Sequence, residues 1–300
     1  MLFSEVAGVA GIRVLRDGNF SNLGFLDDEH ESQFVFLENQ KFLAPLLRRE
    51  NTAAVLTNPD LADRIPTGLA LAVCGQPRLA FAAIHNHLAQ TTFYWEDFAT
   101  VIDPAADVHP TAWIAPLNVR VGRNTVVGPH ATLLPRCKVG EDVVIGAGAV
   151  LAGVGFQTVR AGGEVVEMRH AGGLVVQDRV HILPGAVIAT GLFRCNTTIG
   201  RDARVGAQAF VSHGVQAGER VIIGHGAVVN GNVKIGKGAW VGPGVVISNN
   251  LKIGEGAFVS LGAVVIRDVG AEEKVSGNFA EPHQRLLRTM AGNAAEGSLE

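Results

Sequence analysis

From residue 199 onward an aliphatic or small residue recurs at every sixth position: Ile199, Val205, Val211, Ala217, Ile223, Val229, Ile235, Val241, Ile247, Ile253, Val259 and Val265. Four residues after each of these anchors stands Ala, Val or, once, Leu, from Ala203 to Val269, and glycine directly follows seven of the twelve anchors. An earlier run has the same form (Val121, Val127, Leu133, Val139, Ile145, Leu151), and a short one follows it (Val176, Ile182, Ile188). A period of six matches neither the 3.6 of a helix nor the 2 of a plain strand. It predicts short strands joined by tight corners, with the anchor and the small residue inward and the glycine after the anchor easing the corner. Three such strands close a triangular coil of about 18 residues, stacked at roughly 4.8 Å per coil. The fold class expected is mainly β, a parallel β-helix, and the periodicity alone leaves its handedness open.

The phase breaks twice. It is lost between Leu151 and Val176, and the gap from Ile188 to Ile199 is eleven, one short of two rungs. A coil that keeps phase elsewhere breaks it where a loop is expelled, and expelled loops often line binding sites. Before residue 103 the pattern changes: "TAAVLT" and "LALAV" read as buried strands and "PRLAFAAIHNHL" has helical spacing, as in a small α/β domain. Aromatics crowd into this first part and glycines into residues 122–262. The division expected is 1–103 for the small domain, 104–269 for the coil and 270–300 for a tail with one short helix over "AEPHQRLLRTMAG".

Composition narrows the partners. The net charge is −3 with no basic block, which argues against nucleic acid. The three cysteines, Cys74, Cys137 and Cys195, are far apart and odd in number, as expected of reduced thiols in a cytoplasmic protein without a disulfide framework or zinc spacing. No basic segment followed by an apolar run opens the chain, so no secretory leader is expected, and no run of about 18 apolar residues suggests a membrane span.

Against this bland repeat two histidines stand out, His213 and His225, each two places after an anchor. They lie twelve residues apart and so on different corners of one coil, where they cannot act together within a subunit. An outward imidazole can serve as a general base, and His213 is the better candidate. No Ser/His/Asp or Cys/His motif is evident in the repeat, so a covalent intermediate is not expected. Two rival readings come from other classes: a non-catalytic nucleotide-sugar-binding scaffold, and a β-helix metal hydratase. The second needs closely spaced paired histidines, which the coil lacks; no metal site is expected.

The hexapeptide rungs resemble those of left-handed β-helix acyltransferases. The chain over roughly residues 10–285 resembles the UDP-3-O-acylglucosamine N-acyltransferase family, the third-step enzymes of lipid A synthesis. "SQFVFLENQKF" is similar to that family's uridine-binding segment, "VHPTAWI" opens the coil as the family does, and "GVGF" followed by "HAGGLVVQDRVHI" stands where the family expels its substrate loop. The resemblance implies that Phe36 and Phe42 clamp uracil while Asn39 reads its edge, with Phe156, His170 and Asn249 also binding substrate. It implies a homotrimer with active sites between coils, so that His213, in the family's aliphatic–small–His rung, would face a partner subunit. It implies an acyl-phosphopantetheine thioester donor, on acyl carrier protein or CoA, and no permanently bound cofactor. Three positions depart from the family pattern. Gly206 stands where the family orients its base with Asp, so a backbone carbonyl or a neighbouring subunit's side chain is expected to steer His213. Asn250 stands where the family has a second His, and "ATG", Ala189 to Gly191, replaces Asp-Arg-Gly. A backbone N–H at Gly231, one coil beyond His213, is the candidate oxyanion donor.

Overall fold

The computed structural model describes residues 1–277 except Asp27, Glu29, His30 and Gly162; the helix expected near Pro282 lies outside the described residues. The first part of the chain is a five-stranded sheet in the order β1–β5–β4–β3–β2. Its strands are β1 (Arg13–Arg16), β2 (Asn22–Leu23), β3 (Gln33–Leu37), β4 (Thr52–Thr57) and β5 (Ala70–Val73). Neighbouring strands are parallel except for β1 against β5. The continuous apolar run of β4 and β5 reflects burial on both faces. Helices α1 (Phe3–Ala10) and α3 (Pro77–Leu88) bury one side, over a cluster that contains Phe3, Phe20, Phe34 and Phe81. Helix α2 (Leu43–Leu47) covers the other, with Leu43 and Leu46 buried among Val35, Leu37, Val55 and Leu71.

Residues 101–275 wind as the triangular coil. Its three sheets hold nine, eight and eight short parallel strands among the described residues. Successive coils pair at a spacing of eighteen residues, as in Val126 with Val144 and Phe210 with Val228. In most two-residue strands the first side chain faces out and the second, the anchor, is buried, so that a single column of Val, Ile and Ala fills the prism. No helix of the described residues is long and apolar enough to cross a membrane.

One detail differs from the sequence expectation, and a second, the expelled loop after Ile188, is borne out and resolved. The glycines after the anchors do not supply the left-handed corner. A Cβ on Gly206 would lie 2.4 Å from the carbonyl carbon of Gly224, and one on Gly200 equally close to that of Gly218, so these positions are glycine because the next coil's backbone rests on them. The left-handed residue comes three places after the anchor and is Gly214, Gly226 or Gly238 in some rungs and Asn232, Asn250 or Asp202 in others, the side chains that tolerate positive φ best. The gap from Ile188 to Ile199 is one rung plus an excursion: Ile188 pairs with Leu151 and Val211, Ile199 with Val176 and Ala217, so the two anchor adjacent faces. The extra residues carry buried Leu192 and Phe193 into the aromatic cluster of the first sheet. Phe193 meets Phe25, Phe81 and His85 edge-on. This excursion ties the two parts of the chain together.

The longer excursion leaves after Gly153 and returns at Gly173. Its middle is an antiparallel hairpin, Thr158–Ala161 with Glu164–Glu167, packed on α3. Its return limb is pinned by α3: Asn86 Nδ2 donates to the Glu167 carbonyl (2.7 Å), its Oδ1 accepts the Arg169 amide (2.8 Å), and His85 Nε2 bonds the Arg169 carbonyl (2.6 Å). A carbonyl only accepts, so His85 carries its proton on Nε2 and its Nδ1 accepts from the Tyr94 hydroxyl at 2.8 Å. Burial holds this imidazole neutral, with its pKa pushed down to about 4.

Candidate active site

The eighteen-residue period stacks residues of successive coils on one corner. Ser212, Asn230 and Ser248 form one column there, His213, Gly231 and Asn249 the next, and Gly214, Asn232 and Asn250 the third. A cavity of about 450 Å³ opens at this corner, and Phe25, Phe156, Gln157 and Asp28 close it from outside the coil. His213, Gly231, Asn249, Asn250 and Phe156, all expected site residues, therefore line one space. His213 is only 6% exposed. The excursion of its own chain covers it, with the His170 ring edge-on at 5.2 Å and Gly155 over Nδ1. This corrects the expectation of an outward imidazole that only a partner subunit shields.

Each ring nitrogen of His213 has its own surroundings. Nε2 faces Gly231, where a Cβ would come within 2.5 Å of it. Nδ1 lies 3.2 Å from Ser212 Oγ. Among the described residues of this chain the group that bonds Nδ1 is thus the Ser212 hydroxyl, and no backbone carbonyl does so. Gly206 sits on the preceding corner, against the backbone of Gly224 and His225. Burial lowers the pKa of His213 below the ordinary histidine value, so the imidazole is neutral, and able to accept a proton, at neutral pH. Among the described residues the Gly231 N–H makes no hydrogen bond, because this corner position falls outside the inter-coil ladder. The Asn232 amide donates to Asn250 Oδ1 at 3.2 Å, and both residues line the cavity. Asn249 accepts from Ser248 at 3.5 Å. Among the described residues no three His, Cys, Asp or Glu side chains cluster as a metal ion would require.

Two stretches of the coil match family models: residues 118–153 the bacterial transferase hexapeptide (six repeats), and residues 196–231 the hexapeptide repeat of succinyl-transferase. The UDP-3-O-acylglucosamine N-acyltransferase of Azorhizobium caulinodans is 26% identical over 258 residues, 74% of this chain and 72% of that protein. The enzyme of that name from Maricaulis maris is 35% identical over 263 residues, 79% of this chain and 75% of its own length. The chain belongs to the UDP-3-O-acylglucosamine N-acyltransferase family. It is an acyltransferase, and its coil is the left-handed parallel β-helix of the hexapeptide transferases. Among solved structures, the UDP-N-acetylglucosamine O-acyltransferase of Moraxella catarrhalis superposes with a TM-score of 0.40 at 20% identity, over 64% of this chain and 76% of that one.

In this acyltransferase the remaining expected residues lie apart from the cavity. Phe36, on β3, is half-buried against Phe81 (5.0 Å) and Phe25 (6.3 Å), with the Arg78 guanidinium over its ring. Phe42 is 41% exposed, and Asn39 caps the short turn between them by accepting the Lys41 amide at 3.0 Å. None of the three lines the His213 cavity; Phe25 stands between Phe36 and it. His170 is buried and does not line it either. His225 is exposed on another corner, where its Nδ1 accepts the Ala207 amide at 2.9 Å.

Ser212, Asn230 and Asn232 were legible, since each follows from the period once His213 is chosen. Phe25 and Asp28 were not, because they arrive from a loop whose position the repeat does not set. A second opening, about 830 Å³, shares Asp28, Asn232 and Asn250 with the first and runs along the coil past Arg49, Gln216, Lys234 and Lys252.

Proposed function

We propose that the chain moves an acyl group from a phosphopantetheine thioester, on acyl carrier protein or coenzyme A, to the amine of a UDP-linked amino sugar. The observation that carries this reading is the juxtaposition at one corner of a neutral, buried imidazole with Nε2 free and a backbone N–H left outside the ladder. The amine attacks the thioester carbonyl, Nε2 takes its proton, and the oxyanion accepts from the Gly231 N–H. The C–S bond then breaks, the amide forms, and the thiolate leaves with the proton from His213. Asn250 and Asn249 hold the sugar or assist the oxyanion as neutral donors, and Phe156 covers the acceptor. The Arg49, Lys234 and Lys252 side of the second opening suits the phosphates of either substrate. The exposed Phe42 ring, with Phe36 and Asn39, takes the uracil.

The assembly proposed is a homotrimer. On the coil face that bears Phe210 and Val228, the outward positions are Trp113, Thr132, Val150, Val187, Phe210, Val228, Val246 and Val264. Trp113, Val246 and Val264 are exposed. An apolar strip of this length is what a closed symmetric contact covers, and the His213 corner lies along its edge. The test is the product mass when purified protein is given a panel of UDP-amino sugars and acyl thioesters. An N-acylated UDP-sugar supports the reading, and tight UDP-sugar binding without turnover on any thioester contradicts it.

A further inference from the structure

Ser212 and His213 are both buried, and among the described residues the Ser212 hydroxyl, 3.2 Å from Nδ1, is the one hydrogen-bond partner of the imidazole. The backbone beneath the pair is held on both sides. The Ser212 amide donates to the Val229 carbonyl at 2.9 Å, and the His213 carbonyl accepts the Asn232 amide at 2.9 Å. The other neighbours close the space without bonding the ring. His170 stands edge-on at 5.2 Å with both of its own ring nitrogens sealed and unpartnered, and Gly155 covers Nδ1 with backbone alone. Gly206, on the preceding corner, has no side chain to offer. Asp28 lines the same cavity, yet no carboxylate of the described residues bonds either ring nitrogen.

A hydroxyl both donates and accepts, so this contact admits two tautomers of the imidazole. If Oγ–H donates to Nδ1, the ring proton sits on Nε2 and the ring meets the substrate as a donor. If Nδ1–H donates to Oγ, Nε2 keeps its lone pair beside Gly231. The imidazolium formed during the reaction donates from both nitrogens. Only the second tautomer reaches that state without breaking the one buried bond. We propose that Ser212 is the positioning residue for His213: its Oγ accepts the Nδ1–H, setting the tautomer before the reaction and holding the imidazolium during it. This inference deepens the reading of His213 as the base and rests on it. The Nδ1 proton stays in place throughout, while the proton that Nε2 takes from the amine departs with the thiolate. A neutral hydroxyl stabilises the imidazolium less than a carboxylate does. Ser212 therefore leaves His213 a base of low pKa, the direction in which burial also moves it. The titratable groups around the pair are His170, neutral with its pKa pushed down to about 4, and Asp28 across the cavity.

The test uses nitrogen-15 NMR of the full chain without substrate, with the His213 signals assigned by their absence from His213→Ala. Wild type above its His213 pKa should carry the proton on Nδ1, a result that needs no further variant. Ser212→Ala removes the acceptor, and Ser212→Thr keeps a hydroxyl. We expect Ser212→Ala to lose the Nδ1–H tautomer, to lower the His213 pKa, and to reduce kcat roughly 10- to 100-fold with KM nearly unchanged. Ser212→Thr should keep the tautomer and stay within about fivefold of wild type. An Nε2–H tautomer in wild type would overturn the proposal. So would a folded Ser212→Ala that keeps the wild-type tautomer and pKa, whatever its turnover, since the hydroxyl would then have only a structural part. If His213→Ala stays active while the NMR results appear as expected, the base reading fails and the pairing stands.

Discussion

Gly231→Ala isolates the His213 corner better than any change to the histidine itself. The new methyl would stand 2.5 Å from His213 Nε2, 2.8 Å from Cε1 and 3.1 Å from Cδ2. Ordinary contact begins near 3.4 Å, so the ring must withdraw by roughly 0.9 Å from Nε2's present place. It has little room to do so: Ser212, His170 and Gly155 close its other side. The backbone at 231 does not have positive φ, so alanine is conformationally allowed, and the strain is confined to the rim, with a stability cost of about 1–3 kcal/mol. The loss in turnover should be larger. A misplacement of about 1 Å costs around 10²-fold, and blocking one oxyanion donor about 10²- to 10³-fold. The assay is steady-state acyl transfer to the accepted UDP-amino sugar beside a thermal melt. A folded Gly231→Ala with turnover within about threefold of wild type would show that neither Nε2 nor the Gly231 N–H takes part. Gly206→Ala is the contrasting control: its Cβ meets the backbone of the next coil, so it should unwind the coil rather than silence the site.

Phe42→Ala should weaken UDP affinity by roughly 1–3 kcal/mol by calorimetry with an unchanged melt, because the ring is exposed; Phe36→Ala should lose stability as well, through its contacts with Phe81 and Phe25. His85 and His170 have pKa values pushed down to about 4 from an ordinary 6.5. The stability tied to their neutral forms is complete above about pH 6.5 and drains as pH falls towards 4, by up to about 3 kcal/mol each. Denaturant melts of equal midpoint at pH 7 and 4.5 would contradict this. Because burial lowers the His213 pKa, the acid limb of the kcat/KM profile should lie below the ordinary histidine value, with activity rising as pH climbs through it. Light scattering should give three times the protomer mass, and a monomer at micromolar concentration would remove the proposed contact along the apolar strip.

Most of the coil was legible because its physics is one-dimensional: a period of six fixes which side chain enters the prism, and eighteen residues fix which corners stack. That is why Gly231, Asn249 and Asn250 could be placed beside His213 from spacing and resemblance together. What escaped was set by contacts across the sequence. The role of the glycines after the anchors depends on the coil above, and the left-handed corner is shared among Gly, Asn, Asp and others in a way that no single rung announces. The burial of His213 depends on a loop pinned by Asn86 and His85 some eighty residues away, and the destination of the second excursion was not legible because Leu192 and Phe193 belong to another core. Phe25 and Asp28 had no periodic neighbour to give them away.

The most direct measurement is turnover of His213→Ala beside wild type and His225→Ala, with the accepted UDP-amino sugar and thioester at saturation. The account predicts a fall of roughly 10²- to 10⁴-fold for His213→Ala, donor binding unchanged, and His225→Ala close to wild type. An active His213→Ala, or a dead His225→Ala, would move the chemistry off this corner.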